Sequence, residues 1–320
     1  MSRAKYILIL LILFIPFRSN GQKVADSLHI TLGYPVYSQY LHNGLMINPA
    51  YAGSREALSA ALSYRMQWMG TKGAPVLQTV SLHTPMKNDK VALGLKAQFM
   101  RYGVTKATSI YAVYAYHIRL AKGKLSFGLK TGIDMSNTDY AGLQGITRPD
   151  PVFTDDNKGY LLPNAGAGVY YFSDRLFAGL SIPSFLSYKN TGNGNAQPYH
   201  SFKEYEFIIN AGGLIAISPL FKFKPSVLID YSFKDTKRLN QFDINGNLII
   251  ADMIWAGCSY RTTEQVIVGL LQVQITPQLM TGLSYDYPAG RMNTYSNGSG
   301  EFILRYEFGS KVSAANPRYF

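Results

Sequence analysis

The sequence contains a single cysteine, Cys258, in 320 residues. One thiol excludes an intramolecular disulfide framework and a metal site built from several cysteines, and we expect Cys258 to be a small, half-buried strand residue. Acidic residues are also scarce: 19 Asp and Glu stand against 31 Lys and Arg, a formal net charge of +12. No basic run carries interleaved aromatic residues, so the excess suits an anionic membrane surface or acidic partners rather than nucleic acid.

Long apolar runs are missing beyond the first residues of the chain. Residues 1–21 carry two basic residues near their start, Arg3 and Lys5, continue with an apolar run from Tyr6 to Phe17 and end in small polar residues. This layout predicts a signal peptide cleaved before Gln22. A spanning helix needs about 20 apolar residues, and no later segment supplies them. If the exported chain enters a membrane, it must do so as a closed barrel, because only helices and barrels satisfy their backbone in lipid.

Aromatic residues and glycine are abundant, with 24 Tyr, 17 Phe and 29 Gly, which favours strands. The hairpin over 110–135 shows the pattern best. We predict a two-residue turn at Lys122-Gly123, with Leu120 opposite Leu125. Alternate residues then form one apolar face and one small, polar or charged face. The apolar face holds Leu125, Phe127, Leu129, Ile133 and Met135, and the other holds Ser126, Gly128, Lys130, Gly132 and Asp134.

Fourteen strands of this kind are predicted between Leu58 and Gly309. A water-soluble sandwich would bury the apolar face, whereas a membrane barrel would turn it to lipid. The connections decide between them: those after even-numbered strands are tight, and the long ones (137–163, 188–201 and 288–299) follow odd-numbered strands. Short periplasmic turns and long outer loops are typical of outer-membrane barrels, which have even strand counts. We therefore predict an all-β, antiparallel transmembrane barrel of about 14 strands in the outer membrane.

The predicted layout has four parts. They are a signal peptide (1–21), an irregular periplasmic lead-in (22–54), the barrel (55–310) and a periplasmic tail (311–320). Proline and glycine forbid a regular strand in the lead-in, but Leu45, Met46 and Ile47 are too apolar for a free linker. We expect the lead-in to pack against the mouth of the barrel.

The sequence offers little chemistry for catalysis, and we predict a non-enzymatic protein without a cofactor. No histidine has a metal-ligand spacing. His117 is predicted inside the lumen opposite Gly128, as a polar lumen residue rather than a catalytic base, and Asp150, Asp155 and Asp156 as a solvated acidic loop rather than a calcium site. The inward-facing charges are predicted to form a network that fills or wets the lumen: Lys96, Lys130, Arg65, Arg305, Glu301 and Glu307.

Several segments, in order and spacing from Tyr37 to Phe320, resemble one known family. They are Tyr37-Ser-Gln-Tyr40, Ile47-Asn-Pro-Ala-Tyr-Ala-Gly-Ser54, Tyr64-Arg-Met-Gln-Trp68, Gly73-Ala-Pro75, Gly282-Leu-Ser-Tyr-Asp-Tyr-Pro288, Tyr295-Ser-Asn-Gly-Ser299 and Pro317-Arg-Tyr-Phe320. The family is PorP/SprF, outer-membrane proteins of the type IX secretion system in Bacteroidetes. The chain departs from the family pattern at Gly300, often histidine, and at Asn316, often serine.

The resemblance implies a barrel that works with the secretion machinery and with one secreted protein, such as a gliding adhesin. The barrel would help to export that protein's C-terminal domain or to hold it at the surface. The implied partners are machinery components, that C-terminal domain and outer-membrane lipid. A diffusion porin or solute transporter explains the fold equally well and stays open as the alternative.

Two sets of candidate contact residues follow. Candidates for periplasmic docking are Asn48, Pro49, Ala50, Tyr51, Gly53, Pro317, Arg318, Tyr319 and Phe320, although the first group could instead close the barrel floor and shape a turn. Candidates in cargo-facing outer loops are Tyr140, Phe153, Tyr160 and Tyr188, although those loops could instead fold inward and plug the lumen.

Overall fold

A computed structural model describes residues 29–30, 36–87, 89–139, 159–190, 196–233 and 240–309. Fourteen antiparallel strands form the wall of a barrel. They are β1 Leu58–Met66, β2 Val76–Pro85, β3 Val91–Tyr102, β4 Thr105–Leu120, β5 Gly123–Thr138, β6 Tyr160–Phe172, β7 Leu176–Ile182, β8 Glu206–Gly213, β9 Phe221–Ser232, β10 Gln241–Ile250, β11 Ile254–Arg261, β12 Val266–Gln274, β13 Leu279–Pro288 and β14 Ser299–Phe308. β8 is prolonged by Ile215–Ala216, which also pairs with β9.

The sheet closes on itself. Strands that follow one another in the chain are neighbours, and β14 pairs with β1 from Gly300 opposite Met66 to Phe308 opposite Leu58. Closure removes the unpaired edges that an open sheet would expose. The predicted antiparallel barrel of 14 strands is confirmed. In the described residues, no helix is long and apolar enough to cross a membrane.

The two faces of the wall follow the predicted alternation. On β5, Leu129 points outward and is 59% exposed, whereas Ser126 and Lys130 point inward and are 0% and 6% exposed. Large apolar side chains cover the outside of the other strands in the same way. Cys258 was expected to be half-buried, but its side chain is exposed on β11. Alternate residues of that strand point outward, and Cys258 is one of them.

The register of the β4–β5 hairpin differs from the prediction by two residues. Leu120 pairs with Gly123, and Leu125 pairs with Ile118, so the turn is Ala121-Lys122. Gly123 has a φ of +144°, which glycine adopts without steric cost and which lets it occupy the first strand position. Since the shift is even, every side chain keeps its predicted face.

The two ends of the barrel differ in their connections. At one end, here the turn end, only short segments join β2 to β3, β4 to β5 and the later pairs up to β12–β13. At the other, the loop end, lie the long connections 139–159, 183–205 and 289–298. The 183–205 connection contains a hairpin of Ser187–Asn190 and Ala196–Tyr199, to which His29–Ile30 adds as a third strand.

The lumen is filled by residues 36–56, here called the plug. The plug contains two short 3₁₀ turns, Gly44–Met46 and Pro49–Tyr51, and nearly all of its side chains are buried. Its apolar residues form the main core of the molecule with inward residues of the wall, including Val113, Tyr170 and Phe177. The lead-in was expected to lie in the periplasm against the barrel mouth. Residues 36–54 of it instead occupy the interior.

Candidate functional site

The plug crosses the lumen lengthwise. Its start lies near the loop end, where the Ser38 hydroxyl donates to Asp286 of β13 (Oγ–Oδ1 2.8 Å). Its middle reaches β3, where Lys96 donates to the Met46 carbonyl at 3.0 Å. Its last residues lie near the turn end, where Arg55 bonds Glu307 of β14 at 2.7 Å. The chain therefore runs from the loop end to the turn end and continues there into β1.

A buried ionic cluster holds the loop-end part of the plug; we call it the Arg65 cluster. Arg65 contacts Asp286 at 2.7 Å and Glu301 at 3.3 Å, and Arg261 contacts Asp286 at 3.4 Å. Ser38 joins the cluster to the plug: its backbone N–H donates to Glu301 at 2.9 Å, and its hydroxyl accepts from Arg65 at 2.9 Å. A buried charge is costly unless hydrogen bonds and ion pairs replace its lost contacts with water. The plug supplies some of these bonds to the wall charges, and the wall charges in turn hold the plug in place.

A second set of polar contacts holds the turn-end part of the plug. Glu307 bridges Arg55 of the plug and Arg305 of the wall, the latter at 3.4 Å, and Arg305 donates to the His42 carbonyl at 3.1 Å. The His117 ring lies 2.9 Å (Nε2) from the Ala52 carbonyl oxygen. The prediction of inward, buried charges is confirmed for all six named residues, and His117 is a polar lumen residue as predicted.

The Asn-Pro-Ala-Tyr segment fits a groove in the wall that lacks side chains. The Asn48 side chain caps the 3₁₀ turn by accepting from Ala50 N at 2.9 Å, and it donates to the Val169 carbonyl at 3.0 Å. A Cβ at Gly128 would overlap the Ala50 backbone, and one at Gly168 would overlap the Asn48 side chain. Small wall residues thus make room for the plug.

The structure corrects the position of one set of candidate residues. Asn48, Pro49, Ala50, Tyr51 and Gly53 are all buried inside the lumen, rather than exposed at a periplasmic mouth. Their contacts are with the barrel wall, so docking to a machinery partner through them would require the plug to move. That docking role stays a prediction. Pro317, Arg318, Tyr319 and Phe320 lie outside the described residues, as does the predicted signal peptide.

The candidate cargo-facing residues are also distributed differently. Tyr160 belongs to β6, where it pairs with Ser136, and not to a loop. Tyr188 is in the loop-end hairpin, but its ring is buried and its hydroxyl donates to the Pro163 carbonyl. Tyr188 therefore packs against β6 instead of projecting from a loop, and its cargo-facing role stays a prediction. Tyr140 and Phe153, with the predicted acidic loop, lie outside the described residues.

Sequence reasoning missed a cavity of about 330 Å³ at the loop end, here called the mouth pocket. The Arg65 cluster forms its floor through Arg65 and Asp286. Its lining is Arg65, Gln67, Trp68, Thr263, Glu264, Gln265, Val266, Asp286, Pro288, Met292, Ser296, Gly298 and Ser299. Several of these residues belong to the segments that carry the family resemblance, which was the available signal. In the described part of the chain, no group of acidic, histidine or cysteine side chains could hold a metal ion.

A closed wall with an apolar outer face, short turns at one end and loops at the other defines an outer-membrane barrel with a filled lumen. The fold is similar to the toluene transporter TbuX of Ralstonia pickettii (TM-score 0.50, 9% identity, 83% of this chain and 93% of that one). It also matches the CymD monoaromatic hydrocarbon channel (TM-score 0.48, 13% identity, 89% and 95%). A third match is Acinetobacter baumannii Omp33 (TM-score 0.45, 7% identity, 79% and 99%).

The likeness to TbuX concerns the fold alone, and no curated protein sequence matches the chain. The family model of the type IX secretion system membrane protein PorP/SprF matches residues 31–306. The chain belongs to this family. It is a multi-pass barrel of the outer membrane. Since such barrels have short periplasmic turns and longer extracellular loops, we expect its turn end to face the periplasm and its loop end the cell surface.

Proposed function

We propose that the protein is a non-enzymatic component of the type IX secretion system that helps to export or surface-anchor one partner secreted protein, such as a gliding adhesin. The partner would be bound through its C-terminal domain. Family membership supports association with the secretion system, and both the family and the barrel fold favour a non-enzymatic role. The apolar outer face suits the second partner, outer-membrane lipid.

The filled lumen is the observation that carries this proposal against the alternative of a diffusion porin. A porin needs a continuous aqueous path, but the plug crosses the whole lumen and is held at both ends. A gap between the plug and the wall beside Tyr37, Tyr40 and Asp230 measures about 10 Å³, which is room for about one water molecule. We therefore expect solute diffusion to require that the plug leaves the lumen.

The mouth pocket is where we propose that a segment of the secreted partner binds. It opens at the loop end and combines an exposed aromatic ring, Trp68, and a flexible apolar side chain, Met292, with amide and hydroxyl groups. Exposed aromatic and methionine side chains among adaptable polar groups are typical of protein recognition surfaces. The plug contributes indirectly, because Ser38 fixes the Arg65 cluster at the floor of the pocket.

The proposal is tested with the double variant Trp68→Ala/Met292→Ala in cells. We expect the barrel to stay inserted and heat-modifiable on gels, while a specific large surface protein leaks into the medium or stays inside the cell. Tyr295→Ala is the matched control: Tyr295 lies in the same 289–298 connection and is 73% exposed, but it does not line the pocket. An unchanged surface proteome in the double variant would remove the mouth pocket as the binding site.

The porin alternative is tested separately with purified wild-type protein in planar bilayers. We expect conductance close to the bare-membrane baseline, since the plug fills the lumen. Large, stable conductance steps that increase in proportion to salt concentration would favour the porin instead.

A further inference from the structure

We infer that the short N-terminal strand His29–Ile30, here called the arm, lies on the cell-surface side of the outer membrane. An even number of strands places the start of β1 at the periplasmic end, and this rule alone would leave the N-terminus in the periplasm. The plug reverses that outcome, because it carries the chain once more across the membrane inside the lumen. This placement does not depend on which partner the barrel serves.

The direction of the plug is fixed by contacts at three depths. Ser38 bonds Asp286 and Glu301, which lie at the loop-end termini of β13 and β14. Asn48 bonds the Val169 carbonyl deeper in the wall. The Glu56 carboxylate forms an ion pair with the Lys124 ammonium group (Oε1–Nζ 2.6 Å), next to the β4–β5 turn. The first bonded residue of the plug, Ser38, therefore lies at the loop end and its last, Glu56, at the turn end, so the chain before Tyr37 leaves the lumen at the loop end.

The pairing of the arm supports the same exit side independently. His29 pairs with Lys189, and Ile30 pairs with Tyr188, in antiparallel strand geometry. Lys189 belongs to the hairpin within the 183–205 connection, which joins β7 to β8 at the loop end. The chain from Ile30 to Val36 can span at most about 20 Å when extended, so both ends of that stretch belong to the same side of the barrel.

The arm therefore forms part of the extracellular face, as the third strand of a small sheet above the lumen. A protein on the cell surface can contact it, whereas a periplasmic partner can reach only the turn end and whatever follows β14.

Cysteine labelling in intact cells tests the inference. The background is Cys258→Ala, since the native thiol is exposed. His29→Cys and Ile30→Cys report on the arm, and together they cover both faces of the strand because successive side chains alternate. Tyr295→Cys is the surface control and Lys122→Cys, in the exposed β4–β5 turn, is the periplasmic control. Each variant is treated with a membrane-impermeant maleimide before and after outer-membrane permeabilisation.

We expect at least one arm variant to label in intact cells to the same extent as Tyr295→Cys, while Lys122→Cys labels only after permeabilisation. Arm labelling that appears only together with Lys122→Cys would overturn the inference. If neither arm variant labels under either condition, disulfide formation under a small diffusible oxidant decides, because directly opposed strand residues lie within disulfide distance. His29→Cys should cross-link to Lys189→Cys and not to Lys124→Cys, and the reverse result would place the arm in the periplasm.

Discussion

Neighbouring residues of β5 face opposite surroundings. Leu129 points to lipid and Lys130 points into the lumen, where its ammonium group lies 4.1 Å from the centre of the Tyr111 ring. The outer face needs only apolar surface, whereas the inner face must match the plug atom by atom in volume, charge and hydrogen bonding. The polar interior is thus the packed core of this protein, and it specifies one arrangement of the plug.

The difference between the two faces of the wall predicts that removal of an inward charge causes the largest loss of stability. Arg65→Met leaves Asp286 and Glu301 buried without one of their cations, which should lower the free energy of unfolding by about 3–5 kcal/mol. Denaturant titration of the barrel in lipid vesicles measures it. Arg119→Met is the control, because Arg119 makes an exposed ion pair with Asp89 and should change stability by about 0–1 kcal/mol. Equal losses would contradict a packed ionic lumen.

A charge on the lipid face should cost somewhat less. Leu129→Lys places an ammonium group in the apolar band near the middle of β5, and the expected cost is about 2–4 kcal/mol if the site lies at the bilayer midplane. The same titration, with Leu129→Met as the apolar control, measures it. A tolerated lysine would mean that this face does not contact lipid.

The two faces of the wall should also differ in how well they tolerate added side-chain volume. Gly128→Ala adds one methyl group against the backbone of Ala50, whereas an added Cβ at Gly269, on the outer face of β12, meets nothing within 4 Å. Overpacking the lumen should cost about 1–3 kcal/mol, and Gly269→Ala should be close to neutral. The heat-dependent gel shift and the unfolding titration report both. If the two alanines behave alike, the plug does not sit in the groove described above.

The smallest effect is expected where the plug reaches solvent. Lys124→Ala removes the partly exposed ion pair with Glu56, worth about 0.2–1 kcal/mol. Repeating the titration at about 1 M salt should remove the difference from wild type, because salt screens exposed pairs. A loss that persists in high salt would show that the turn end is buried like the rest of the lumen.

The wall could be predicted from the sequence because its signals are local. Period-two alternation gave the strand faces, and connection lengths gave the two ends, as β5 and the 139–159 connection illustrate. The hairpin register was missed because Gly123 adopts a conformation that keeps it in the strand, and no pattern in the flanking residues distinguishes that from a turn.

The site was less predictable because its parts are far apart in sequence. Proline and glycine excluded a strand at residues 43–54, but nothing local shows that the segment enters the lumen. The signal lay in the barrel wall instead. Small inward residues such as Ser126 and Gly128 leave a space in the lumen that another part of the chain must fill. The mouth pocket draws on β1, the 262–265 connection and the 289–298 connection, and only barrel closure brings these together.

The plug also sets an order of events during assembly. Its turn-end residue continues covalently into β1, and its loop-end side is attached to the arm beyond the barrel. A closed wall would have to admit this chain end-on, past the Arg65 cluster and the close contact at Gly128. The seam between β14 and β1 is where the first and last wall strands meet. We therefore expect the segment to be inside before that seam closes, so that wall closure captures the plug.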